Sequence, residues 1–234
     1  MASFGVGRVR SLFMYPMSFD EFLVATGHVG WIEAKQNASP AEPLFEALHG
    51  KLVESFRNYL MVGGMPESVH NWVETGDYLK CQQVQDDIML AYEDDFSKYE
   101  EKADPMLLRQ TLHSVAQQIG GKFVYSNVQG NYRSEKIKGA LELLKYNTPV
   151  QRHDLYYWQN LSRGAQAEVD YVLVKDMQVV PLEVKAGTTG SMKSMYQFME
   201  EKHLTYGIRT SLENFGKLKK VDIVPLYALS NLYK

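Results

Sequence analysis

Apolar residues recur every three to four positions through the first 147 residues, which predicts a largely helical region. The clearest run is LFEALHGKLVESFRNYLMVGG, whose apolar positions are Leu44, Leu48, Leu52, Phe56 and Leu60. A shorter helix is expected from Phe19 to Gly27, because Ser18 and Glu21 have the spacing of a capping box. The run GDYLKCQQVQDDIMLAYEDDFSKYEEK predicts a long acidic helix with its aspartates on an exposed face.

The segment from Pro105 to Asn147 has the order and lengths of a helix-turn-helix, with a last helix beginning near Ser134. Arg133, Lys136 and Lys138 come near the start of that helix, where a recognition helix contacts a groove or phosphates. The same pattern is also typical of a small three-helix packing unit with ordinary surface lysines. Both interpretations stay open at this point.

After Pro149 the pattern changes to short strand-like runs with one helix, SMKSMYQFMEEK, between them. The methionine stripe of that helix is interpreted as core packing against a sheet. The predicted fold class is therefore α/β (α+β): a helical N-terminal region with a helix-turn-helix, then a mixed sheet flanked by helices. The predicted domains are residues 1–104, 105–147 and 148–234.

Charged residues interrupt the predicted hairpin AEVDYVLVKDMQVVPLEVKAG. Alternate side chains of a strand share a face, so Glu183 and Lys185 point the same way. If the two strands are antiparallel neighbours, Asp170 and Glu183 converge on one site with oxygen ligands for a divalent cation. Such a cluster is costly to bury unless a metal or a substrate compensates it.

An aspartate, twelve intervening residues and then Glu-x-Lys is the PD-(D/E)XK arrangement of restriction-endonuclease-like phosphodiesterases. Mg²⁺ or Mn²⁺ held by Asp170 and Glu183 would polarise a phosphate and activate water, and Lys185 would steady the developing charge. The other interpretation is an ordinary cross-strand ion pair on a surface hairpin.

Composition narrows the classes of partner. A formal net charge of −3 argues against bulk coating of nucleic acid or membrane, although a local basic patch remains compatible with it. With no apolar run of membrane-spanning length, the chain is expected to be cytoplasmic and not a membrane protein. One cysteine excludes an internal disulfide framework.

Seven ordered motifs resemble the landmarks of a bacterial and archaeal family of AAA-type P-loop ATPases, usually called ATP-binding proteins. They are GRVRSLFMYPMSFDEFL, NYLMVGGMPESV, YEDDFSKY, QIGGKFVYSNV with RSEKIKGALELL, LYYWQN with AEVDYVLV, VPLEVKAG, and RTSLENFGKLKKVDIVPLYALSNL. The resemblance implies a C-terminal domain of unknown function with a PD-(D/E)XK-like fold.

Two departures from the family pattern change what the resemblance implies. The sequence has no G-x-x-x-x-G-K-[ST] motif, so no ATP site and no ATPase activity are expected from this chain. The segment between the helix-turn-helix and LYYW is shorter than in the family, which places Glu142 at the position of the helix glutamate of the nuclease-like fold. Either the fold tolerates a shortened core, or the second domain is incomplete.

Two functions remain open on the sequence. The first is a divalent-metal nuclease with Asp170, Glu183, Lys185 and Glu142 as catalytic residues, acting on DNA or RNA bound through Arg133, Lys136 and Lys138. The second is a catalytically inactive nucleic-acid or protein binding module that partners an ATPase. A protein partner or a homo-oligomer is compatible with either function.

Overall fold

The computed structural model describes residues 14–99, 103–147, 156–160, 162, 167–175, 177–185, 187 and 191–233. The first resemblance motif lies partly outside these residues. The fold is mixed α/β, which confirms the predicted class. The chain divides into two compact units, one made of Met1–Pro16 and Pro66–Arg152 and the other of Met17–Met65 and His153–Lys234. Within the described residues, no helix is long and apolar enough to cross a bilayer.

The first unit is helical. Its helices are α4 (Pro66–Thr75), α5 (Tyr78–Asp95), α6 (Pro105–Gln117) and α7 (Ser134–Asn147), with 3-10 turns at Phe96–Tyr99 and Tyr125–Asn127. Asp104 caps α6 by accepting a hydrogen bond from the Met106 amide at 2.9 Å, and Pro105 occupies the first turn, where its missing N–H costs nothing. The predicted helix from Ser134 is confirmed.

The core of this unit lies between α6 and α7. Leu107, Leu108, Val128, Ile137 and Ala140 are buried together, and the 3-10 turn at Phe96–Tyr99 closes one side with the buried ring of Phe96. The aspartates of α5 are exposed, as predicted.

The second unit begins with α1 (Phe19–Ala25), α2 (Val29–Asn37) and α3 (Glu46–Val62). The capping box of α1 is complete, because the Ser18 side chain accepts from the Glu21 amide and the Glu21 carboxylate accepts from the Ser18 amide. Gly63 ends α3 with φ of 73°, a conformation that favours glycine.

Six strands form the sheet of the second unit: β1 (Tyr156–Gln159), β2 (Glu168–Lys175), β3 (Gln178–Val184), β4 (Gly207–Ser211), β5 (Gly216–Leu218) and β6 (Val221–Pro225). Their order is β1-β2-β3-β4-β6-β5. β3, β4 and β6 are parallel, and the remaining neighbours are antiparallel. The strand predicted to continue past Pro225 instead becomes a 3-10 helix over Leu226–Tyr233.

Helix α8 (Lys193–Glu201) makes the crossover from β3 to β4 and covers one face of the sheet. Its Met195 and Met199 pack with Met192, Phe198, Val169 and Val221, which confirms the interpretation of the methionine stripe as core. Gly207 allows this close contact. A Cβ atom there would lie 3.1 Å from the Met199 sulfur and 3.3 Å from Pro181 Cγ.

A buried lysine joins the N-terminal helices to the C-terminal 3-10 helix. The Nζ of Lys35 lies 2.7 Å from Asp20 Oδ1 and donates to Ser230 Oγ at 3.0 Å, while its side chain is 0% exposed. Asn231 donates from Nδ2 to the Lys35 carbonyl at 2.8 Å. His49 and Tyr227 add a second buried contact at 2.8 Å between Nδ1 and the hydroxyl oxygen. These contacts fix α1–α3 against the sheet-bearing part of the unit.

Candidate metal centre

The structure brings Asp170, Glu183 and Lys185 together at one end of the β2–β3 hairpin. β2 and β3 are antiparallel, as the sequence predicts, and Tyr171 lies opposite Leu182. Asp170 Oδ2 accepts a hydrogen bond from the Val184 amide at 2.7 Å, and Lys185 Nζ lies 2.5 Å from Glu183 Oε1. The shared face of Glu183 and Lys185 is therefore confirmed, and Asp170 lies within reach of the same strand.

A register shift between β1 and β2 falls at the position of Asp170. Tyr156 pairs with Val172, and Trp158 pairs with Val169. β2 therefore has one more residue than β1 between these two pairs. Val169 and Val172 both pack in the core beneath α8. In a regular strand, two residues that are three positions apart would lie on opposite faces of the sheet. Bulges re-aim side chains and recur beside active sites. Here the irregularity includes Asp170, whose carboxylate accepts from the Val184 amide of β3.

Glu183 is a buried carboxylate that is only half satisfied. Its side chain is 6% exposed, and Lys185, which is 25% exposed, binds one of its two oxygens. The other, Oε2, is buried and has no hydrogen-bond partner among the described residues. Burial raises the pKa of Glu183, and the nearby Asp170 charge raises it further, while the hydrogen bond from Lys185 opposes them. Bringing a cation to Oε2 would remove this penalty.

A second ion pair, not predicted from the sequence, lies beside the first. Arg209 is 4% exposed and sits opposite Glu183 in the parallel register of β3 and β4. Its Nη2 lies 2.9 Å from Glu213 Oε2 and donates to the Gly187 carbonyl at 3.4 Å. Ser211 Oγ also donates to Glu213 Oε2, at 3.1 Å. The network fastens the loop after β3 to the loop after β4. The sequence feature that could have identified Arg209 is the position of an arginine within the apolar run around GIRTS.

The remaining predicted site residues belong to the first unit. Glu142 is exposed on α7, and its part in the metal site stays a prediction. Arg133, Lys136 and Lys138 are exposed around the start of α7, as a phosphate-contacting helix requires. Their contact with nucleic acid also stays a prediction.

The residues of the hairpin fit one hard cation with few protein ligands. Among the described residues, no group of three or more histidine, cysteine or acidic side chains has a geometry that could hold a metal ion. The carboxylates of Asp170 and Glu183 would hold such a cation. Mg²⁺ commonly binds through one or two carboxylates and keeps several waters.

The raised pKa of Glu183 predicts a pH dependence of stability. A carboxyl whose pKa is higher in the folded protein stabilises the fold below its ordinary pKa, and that stabilisation is lost as pH rises through the folded value. The Glu183→Gln variant removes this titration. We expect the wild-type protein to lose stability relative to Glu183→Gln as pH rises from about 4.5, the usual value for glutamate. Urea unfolding at a series of pH values measures the difference, and parallel curves would contradict it.

Comparison with protein families gives two matches. Residues 140–229 match a domain of unknown function, DUF4143, which begins within α7 and includes all six strands of the sheet. Residues 53–176 match a second domain of unknown function, DUF8612. No curated protein and no solved structure matches significantly. Since the DUF8612 match covers more than half of the chain, this protein belongs to the DUF8612 family.

Proposed function

We propose that this chain is the C-terminal part of an AAA-type ATP-binding protein and carries a divalent-metal-dependent phosphodiesterase site that acts on nucleic acid. The observation that supports it most directly is Glu183, a buried carboxylate with one oxygen paired to Lys185 and the other without a donor. Strongly perturbed carboxylates beside a specific charge partner mark candidate functional sites.

Each residue of the hairpin has a role in this proposal. Glu183 Oε2 and the Asp170 carboxylate would hold Mg²⁺ or Mn²⁺, which when bound polarises a phosphate and lowers the pKa of water. The Val184 amide fixes the Asp170 carboxylate, so little reorganisation is needed when a cation arrives. Lys185 is a quarter exposed, and its ammonium would face both Glu183 and an incoming phosphate. Its charge would stabilise negative charge that develops on the phosphate oxygens.

The family matches support the link to an ATPase only at a coarse level. DUF4143 is often found in proteins associated with AAA ATPases. The sequence has no phosphate-binding glycine loop of its own, so nucleotide hydrolysis would require another polypeptide or another segment. The helix-turn-helix unit, with Arg133 and Lys136 exposed at α7, would bring nucleic acid to the protein.

The direct test measures cleavage and metal binding with the same variants. Plasmid and single-stranded DNA are incubated with the protein in Mg²⁺ or Mn²⁺, and Mn²⁺ binding is followed by calorimetry. We expect Glu183→Gln to weaken Mn²⁺ binding and abolish cleavage. Lys185→Ala should lower the cleavage rate by about 100-fold or more while Mn²⁺ still binds, because the lysine stabilises charge and is not a ligand.

Glu168→Gln is the matched control, since Glu168 begins the same hairpin but is exposed. It should leave both properties unchanged. Cleavage that survives Glu183→Gln and Lys185→Ala alike would overturn the hydrolytic proposal.

The alternative is a catalytically inactive module that binds nucleic acid for a partner ATPase. One observation favours it: Lys185 already neutralises Glu183 at 2.5 Å, so the pair can exist without a metal. In this case binding depends on phosphate contacts and falls steeply with salt. DNA binding in the absence of metal, weakened by the double substitution Arg133→Ala with Lys136→Ala, would support the module. Binding that is insensitive to salt would exclude it.

A further inference from the structure

The helix-turn-helix unit carries a pocket of about 280 Å³ on the outer side of α6. It lies between α6 and the loop that contains the second 3-10 turn and leads into α7. All of its lining side chains are polar: Gln110, His113, Ser114, Gln117, Asn127 and Gln129. The pocket is large enough to hold several water molecules or a small ligand.

The lining excludes several classes of ligand. An apolar molecule would find no apolar side chain to replace its contact with water. Among the described residues, the wall has no lysine or arginine to hold a phosphate, and a carboxylate lies close by, because Glu93 Oε1 accepts from His113 Nε2 at 2.9 Å. Glu93 is also paired with Arg109 at 2.6 Å, so its negative charge is held in place. A neutral ligand with several donors and acceptors remains.

The hydrogen bonds around the wall leave donors and acceptors for such a ligand. Ser114 Oγ accepts from Gln118 Nε2 at 2.9 Å, so its own hydroxyl hydrogen is available to donate elsewhere. Carboxamide side chains, of which three glutamines and one asparagine line the pocket, each present a donor beside an acceptor. This is the pairing pattern that matches the edge of a nucleobase, and adenine in particular.

The turn at one side of the pocket requires a glycine at position 130. Gly130 has φ of 96°, and a Cβ atom there would lie 2.5 Å from the Tyr132 ring and 3.1 Å from Gln110 Oε1. Only glycine fits this backbone and this space. The loop that carries Asn127 and Gln129 is therefore held against α6, directly ahead of the basic start of α7.

We propose that this amide-lined pocket binds one unpaired base of single-stranded nucleic acid, while Arg133, Lys136 and Lys138 contact the adjacent phosphates. A base inside a duplex cannot enter a concave pocket, whereas an unstacked base can. The inference rests on the proposed nucleic-acid role and assigns it a substrate class, a single strand read by its bases as well as by its charge.

The experiment compares strands that differ only in their bases. Fluorescence anisotropy measures the affinity for a labelled oligo-dA strand, for an abasic strand of equal length and charge, and for the duplex, all at one salt concentration and without metal. We expect wild-type protein to bind oligo-dA about tenfold more tightly than the abasic strand, the value of one good base contact. Gln117→Ala with Asn127→Ala should remove that preference and leave the affinity for the abasic strand unchanged.

Two further variants distinguish the contribution of the pocket to binding from that of the phosphate contacts. Gln82→Ala alters an exposed amide of α5 outside the pocket and should behave as wild type. Arg133→Ala with Lys136→Ala should weaken both strands equally and lower the salt slope by about 1.4, the value for two single-strand phosphate contacts. Equal wild-type affinity for oligo-dA and the abasic strand would overturn the pocket alone. Absence of binding to every strand would overturn the nucleic-acid role as well.

Discussion

Replacing Asp20 with asparagine is expected to lower the free energy of unfolding by about 3 kcal/mol, because it leaves the Lys35 ammonium buried without an anion. Lys35 is fully buried, and besides Asp20 Oδ1 its Nζ contacts only a neutral hydroxyl, Ser230 Oγ, among the hydrogen bonds and ion pairs described above. Removing one partner of a buried pair costs more than the pair itself contributes, since the remaining charge loses its compensation. Urea unfolding followed by circular dichroism measures the effect.

Replacing the other partner of the ion pair, Lys35, gives a direct comparison. Lys35→Met removes the buried charge and leaves Asp20, which is 30% exposed and can be hydrated, so we expect a loss of only about 1 kcal/mol. Asp86→Asn on the exposed face of α5 should change stability by less than about 0.5 kcal/mol. If Lys35→Met proved more damaging than Asp20→Asn, the hydrogen bonds of the Lys35 ammonium would matter more than its pairing with a negative charge, because methionine keeps the apolar stem and asparagine keeps an acceptor oxygen.

Met195→Ala is expected to lower the free energy of unfolding by about 2–5 kcal/mol, since it opens a cavity beneath α8. Met195 is 0% exposed and packs in the cluster of Val169, Phe198 and Val221, between the helix and the sheet. The loss has two parts, the transfer of the removed atoms to water and the unfilled space that the sheet cannot close. Thermal and urea unfolding both report it.

Two further substitutions in α8 serve as comparisons for Met195→Ala. Met195→Leu keeps the volume and should cost less than about 1.5 kcal/mol. Lys193→Ala changes an exposed residue of the same helix and should be nearly neutral. A small effect of Met195→Ala would mean that α8 can settle onto the sheet and close the cavity.

Local patterns predicted the elements whose cause is local. The capping box at Ser18, the end of α3 at Gly63 and the start of α7 at Ser134 depend on neighbouring residues, and each is present in the structure. The β2–β3 hairpin follows from alternation and from a short connection. β5 has only three residues, and α4 begins at Pro66, three residues after Gly63 ends α3, so neither stood out.

Features that depend on distant residues were not predictable in this way. The pairing of Lys35 with Ser230, and the contacts of α2 and α3 with the C-terminal 3-10 helix, join positions nearly 200 residues apart. The charges of Asp170, Glu183 and Lys185 stood out because charges interrupt an apolar run. Arg209 carried the same signal, but it could be paired with Glu213 only once the loop after β4 was seen.

The order of residues in the two units has a consequence for synthesis on the ribosome. The helical unit occupies an unbroken stretch from Pro66 to Arg152, apart from the opening segment, and interrupts the other unit. Its core can therefore assemble while translation continues, as segments with local contacts do. By contrast, α1 and α2 emerge early but must wait for Ser230 and Asn231, the partners of Lys35. We expect a stalled chain that ends before Leu226 to leave α1–α3 sensitive to protease.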